Sequence, residues 1–191
     1  MWSAPVASPG NEKAEQSPWT WRVRALTVFL AVSALLFANA APASAVFYYW
    51  GMNFASYQMK PYGLNSTWTV PMDAARGNWN SASSEVNITL NSSASARVSA
   101  VNFPTATWFG QYNPEGLVSF HIQLNQPRIS TYSPFATSLR SGFAHELGHS
   151  LCLGDNPGGA ANSSLMNYNR NRMTIIGPTS SDVAEANSYY N

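Results

Sequence analysis

His145-Glu146-Leu147-Gly148-His149 spells H-E-x-x-H, and Asp155 follows six residues after His149, just past Gly154. On a helix, positions four apart share a face, with Cβ atoms roughly 5–6 Å apart. Both imidazoles can then turn to one metal ion without bending the backbone. Glu146, one residue on, reaches a water at that ion without occupying a ligand position. This is the residue pattern of a zinc hydrolase. Leu139, Phe143 and Leu147 supply an apolar stripe at helical spacing, which predicts a helix from about Ala136 to Leu151. The competing account is a surface helix with accidental histidines. Histidine occurs three times in 191 residues, and two of the three stand here. An accidental match is expected in roughly one such chain in a hundred or fewer, so the functional account is preferred.

A catalytic zinc takes three protein ligands and a water. No histidine follows His149, so Asp155 is the next candidate, and a carboxylate is an acceptable zinc ligand. Asp155-Asn156-Pro157-Gly158 is equally strong turn sequence, so Asp155 reads either as a ligand or as a turn residue. Asn156, Gly158 and Gly159 suggest a structural calcium (Ca2+) loop, but one nearby carboxylate is too few to support a hard cation. His121 falls on the polar side of a strand and is given no metal role. Arg170 and Arg172 read as solvated loop charges, with substrate contact as the lesser alternative.

Composition narrows the classes further. Hydrophobic residues make up 45% of the chain and aromatics 13%, enough for a packed core. Charged residues are 10%, against about 25% in an average domain. The net charge of +1 leaves no basic field for nucleic acid or an anionic membrane. Cys152 is the one cysteine, which excludes an internal disulfide and a multi-cysteine zinc ribbon.

Residues 1–45 read as a processing segment. Trp21-Arg22-Val23-Arg24 is a short basic flank, Ala25 to Ala41 is almost wholly apolar, and Ala43-Ser44-Ala45 offers small residues for signal peptidase. That order is a secretory signal peptide behind a polar leader. A membrane-spanning helix would need about 20 apolar residues, and this run is shorter. Residues 46–191 are then an exported catalytic domain, expected to act as a monomer without stable membrane association after signal cleavage.

Within it, aromatic-rich Val46 to Trp50 is expected as a first strand, and Pro71 as the first residue of a helix burying Met72, Ala75 and Trp79. Strands are expected at Val86–Leu90, Arg97–Phe103, Thr107–Tyr112 and Val118–Leu124, the last with the clearest alternation. A long Gly/Asn/Ser segment, Gly154–Pro178, precedes a closing helix opened by the capping box Thr179-Ser180-Ser181-Asp182. The fold class is α+β, in one domain.

His145, Glu146, His149 and Asp155 resemble the extended zinc motif of the metzincin metallopeptidases, in the aspartate variant of snapalysin-type secreted bacterial enzymes; matrixins use a third histidine. Ser164-Leu165-Met166-Asn167-Tyr168 resembles the metzincin Met-turn, and the closing helix is similar to that of matrixin-like domains. The resemblance implies a single zincin-like domain with a mixed twisted sheet, one catalytic zinc ion (Zn2+), and a polypeptide substrate. It makes Met166 the floor of the site and Tyr168 either a zinc-side phenol or an ordinary loop tyrosine. It makes Thr107–Tyr112 the edge strand along the cleft, with Trp108, Phe109 and Gly110 near substrate. Two departures stand out. The family has glycine where this chain has Cys152, so either Cys152 takes a left-handed conformation or the helix ends later. No cysteine precedes Cys152, so latency through a propeptide cysteine is not expected. The alternative function is a secreted zinc-binding protein with a degraded, non-peptidase site.

Overall fold

The computed structural model describes Tyr48 and residues 50–191. The expected signal segment, residues 1–45, lies outside the described residues, as do Val46, Phe47 and Tyr49 of the expected first strand. Tyr48 and Trp50 are not in a strand. The first strand comes later, β1 at Ser56–Pro61, where Tyr57 and Met59 point inward on either side of exposed Gln58. Helix α1 (Ser66–Ala82) follows, then β2 (Asn87–Leu90), β3 (Arg97–Val101), β4 (Gly110–Pro114) and β5 (Phe120–Asn125). A one-turn helix α2 (Gln126–Ile129), the long helix α3 (Phe135–Ser150) and the closing helix α4 (Ser180–Tyr190) complete the chain.

The five strands lie in the order β2-β1-β3-β5-β4. All neighbours are parallel except β4 and β5, which pair antiparallel through Tyr112 opposite Ile122. This mixed α/β sheet leaves β4 as an edge strand, beside α3. The expected edge at Thr107–Tyr112 is thus displaced: residues 107–109 approach as a loop and pairing begins at Gly110. Asn125 shapes that loop. It is fully buried, its backbone N–H donates to Phe109 O, and its side-chain amide donates to Phe103 O and Trp108 O.

Helix α1 starts five residues before Pro71, capped by Asn65, whose side chain accepts from Thr67 N at 3.1 Å. Pro71 therefore lies inside the helix, where it supplies no N–H to the ladder. Met72, Ala75 and Trp79 are buried as their spacing predicts. The Trp79 indole donates to Ala144 O at 2.9 Å, tying α1 to the backbone immediately before His145. The apolar stripe of α3 is buried as expected, yet from residue 138 to 150 only Arg140 escapes full burial. A helix enclosed on nearly every side cannot be a surface helix with stray histidines. Trp79, Phe120 and Phe143 are the largest side chains fully buried in the core.

Candidate active site

Helix α3 ends where the zinc motif needs it to. Cys152 N donates to His149 O and Leu153 N to Gly148 O, the paired bonds of a Schellman turn. Cys152 occupies the left-handed position at φ +64°, so the first of the two alternatives raised by its departure from glycine is the one realised. Its thiol is buried and lies toward Met52 O, while Gly51 packs so closely on Cys152 that a side chain there would collide with it. The turn does two things. It offers Leu153 O to His149 Nδ1 at 2.8 Å, and it brings Asp155 back over the helix.

His145 is held differently. Its Nδ1 donates to Leu165 O at 3.0 Å, a carbonyl 20 residues away. Leu165 is itself held by Asp182, the third residue of α4, which is fully buried. Asp182 accepts from Leu165 N at 2.8 Å, Ser164 Oγ at 2.5 Å, and Thr179 N and Oγ1, both at 2.7 Å. The capping box at Thr179 therefore also fastens the turn at Ser164–Tyr168. Met166 in that turn packs against Gly148 of α3, where any side chain would strike its sulfur.

With both Nδ1 atoms donating to carbonyls, each neutral imidazole presents an Nε2 lone pair. Asp155 Oδ1 lies 3.2 Å from Nε2 of His145 and 3.6 Å from that of His149. That oxygen is buried and receives no hydrogen bond. Burial, reinforced by the charge of Arg170, pushes His145 down to about 3, so it stays neutral. Burial would raise the Asp155 carboxyl, but the group is held low, with the Tyr168 hydroxyl donating to its Oδ2. Three ligand atoms thus converge within 4.8 Å of one another. Two nitrogens and a carboxylate oxygen suit a divalent cation, and zinc in particular.

Glu146 is 4% exposed and stands beside this cluster without joining it. Burial raises its carboxyl to about 7. Its side chain lies against Gly110 of the edge strand, where a Cβ would come within 2.7 Å of Glu146 Oε1. A side chain at this position would displace the Glu146 carboxyl. Tyr168 is half exposed and its hydroxyl donates to Asp155 Oδ2 at 2.5 Å. That bond, then burial, raises the phenol to about 12.

Trp108 and Gly110 line both cavities that open on Glu146, and Phe109 lines one of them. Asn156 Oδ1 accepts from Gly159 N at 3.0 Å and closes a turn. Among the described residues, His145, His149 and Asp155 are the cluster able to hold a metal. His121 bonds to Ser99 on the sheet at 2.8 Å. The expectation of solvated loop charges fails for Arg170, which is 4% exposed because its guanidinium reaches Ser141 O and Asn167 O within the fold. Sequence reasoning missed the reach of Asp182 to Ser164 and Leu165; its only signal was the capping box.

No family model and no curated protein matches the chain. Among solved structures it is similar to the GM1-bound form of the ECX AB5 holotoxin, with a TM-score of 0.57 at 13% identity over 72% of this chain and 80% of that one. It is also similar to myroilysin, at 0.53 and 12% over 77% and 98%. A third is high choriolytic enzyme 1, a hatching enzyme zinc-protease of the medaka fish Oryzias latipes, at 0.51 and 12% over 75% and 94%. At such identities the likeness is one of fold, a mixed sheet with helices that this chain shares with the zinc-protease among these structures.

Proposed function

We propose that this chain is a secreted zinc-dependent endopeptidase of the metzincin type, akin to the matrixin-like and snapalysin-like bacterial enzymes, with His145, His149 and Asp155 as its metal ligands. The observation that carries this reading is the convergence of two Nε2 lone pairs on the unpartnered Oδ1 of Asp155. Zinc in that position would polarise a peptide carbonyl and make a bound water acidic near neutral pH. The chain supplies the rest. Glu146 takes a proton from the attacking water and returns it to the leaving amine, a transfer suited to a carboxyl held at about 7. Edge strand β4 offers free main-chain groups to an extended polypeptide. The Tyr168 hydroxyl, released from Asp155, is placed to donate to the developing oxyanion. Met166 packs beneath the helix as a structural floor.

Glu146→Gln should keep zinc bound and lower hydrolysis by about 10²–10⁴-fold, the usual worth of general acid–base help. Metal analysis and a quenched-peptide assay on the same preparation check it, and near wild-type cleavage by the variant would sink the mechanism. The alternative, a zinc-binding protein with a degraded site, draws no support from Cys152, which takes the conformation that the turn requires, and intact Glu146 argues against it. N-terminal sequencing of the exported product tests the secretory reading, with a start at Val46 expected.

A further inference from the structure

Positive charge is distributed unevenly among the described residues. Arg76 pairs with Asp73 at 2.7 Å, Arg97 pairs with Glu115 at 2.7 Å, and Arg140 bonds to the Asn78 side chain. Arg128, Arg170 and Arg172 have no carboxylate partner among the described residues, and all three line one cavity of about 320 Å³ beside His145 and Glu146. Each has an Nε that is buried without a hydrogen-bond partner, as does Arg140, but these three are gathered on one cavity. Arg170 is 4% exposed and its fork is fixed by Asn167 O and Ser141 O, at 3.0 and 3.3 Å. Phe109 steadies the other two, with the guanidinium carbons of Arg172 and Arg128 at 4.1 and 4.9 Å from its ring centroid. Gly142 also lines the wall, with Phe109 as the nearest neighbour of its bare Cα. The only acid on the lining is Glu146, which the peptidase reading already employs.

Burying a guanidinium such as that of Arg170 without a counter-charge is costly, and with two half-buried guanidinium groups on the same wall the cavity suits an anionic group. Guanidinium groups fit carboxylates better than other side chains do, through paired N–H donors. Resting on the peptidase reading, we propose that this cavity receives the carboxylate of an aspartate or glutamate side chain next to the scissile bond, making the enzyme selective for acidic polypeptide sequences.

The test uses the zinc-loaded protein and amidated fluorogenic peptides that differ only in Glu, Gln, Leu or Lys at either residue flanking the cleaved bond. The expected result is a kcat/KM for Glu on the order of tenfold above Gln at one flank, carried by KM and reduced by added salt. Arg128→Gln with Arg172→Gln should bring that ratio close to one, while Arg128→Lys should retain most of it; zinc content and circular dichroism confirm that each variant is folded. A wild-type ratio within about twofold at both flanks overturns the proposal, as does a ratio that survives in the double variant. Stronger preference for a peptide ending in a free carboxylate than for internal Glu overturns it too. If no peptide is cleaved, the peptidase reading fails by itself. Fluorescence anisotropy with the same Glu and Gln peptides then decides the cavity: tighter binding of Glu supports it, and equal affinity overturns it.

Discussion

The two imidazoles of the candidate site are held alike, each by a backbone carbonyl at Nδ1, but the two carbonyls have different origins. For His149 the carbonyl is Leu153 O, four residues along, presented by the turn that ends the same helix. For His145 it is Leu165 O, and that carbonyl stays in place through Asp182 on a different helix. One half of the site is therefore local and the other is assembled from afar. Local geometry forms wherever the helix forms. The remote half depends on the buried carboxylate of Asp182 and on the docking of α4.

The sharpest way to break that contrast is Asp182→Ala. It strands the donors of Ser164, Leu165 and Thr179, and should lower stability by about 3–5 kcal/mol, as loss of a buried charged hydrogen-bonding group does. Chemical denaturation measures this, and nuclear magnetic resonance of the zinc-loaded protein should show the His145 ring more disturbed than that of His149. Equal disturbance would dissolve the distinction between the halves. Asp155→Ala comes next. It should weaken zinc retention on the order of a hundredfold, with Asp155→His retaining more than Asp155→Ala. Unchanged metal content would mean that another group completes the site.

Tyr168 bridges the halves, reaching from the remote turn to the carboxylate on the local one. Tyr168→Phe should leave zinc bound and lower kcat on the order of tenfold, about 1.4 kcal/mol of barrier. A kcat unchanged at full zinc occupancy removes the phenol from the chemistry. The smallest effect belongs to Cys152→Gly. Relief of the left-handed strain and loss of a buried thiol oppose each other, so stability should move by less than about 1 kcal/mol and activity should hold. A large loss of activity would show that the local half needs the thiol as well as the turn.

The same contrast explains what could be read from the residues alone. His145, Glu146, His149 and Asp155 were legible because helical spacing and the turn after the helix place them within a dozen positions. The capping box at Thr179 was legible for the same reason. What Asp182 does beyond the cap, and why Gly110 must lie bare against Glu146, arise from contacts between distant segments that no local pattern carries. The strand at Ser56–Pro61 escaped because its polar Ser56, Gln58 and Lys60 leave only two inward apolar residues, too few for alternation to stand out. Pro71 misled in the opposite direction. Its fit to the first helical position was sound, but Asn65 offered a better cap upstream.

The dependence of His145 on Asp182 also orders events in time. Synthesis proceeds from the amino end, so the zinc motif leaves the ribosome well before α4 exists. Until residues 179–182 arrive, Leu165 lacks its anchor and one imidazole lacks its fixed carbonyl. A chain cut short between Asp155 and Thr179 would carry every residue of the motif and still lack the anchor that fixes His145. Completion of the candidate site is thereby deferred to the finished molecule by the order in which its parts are made.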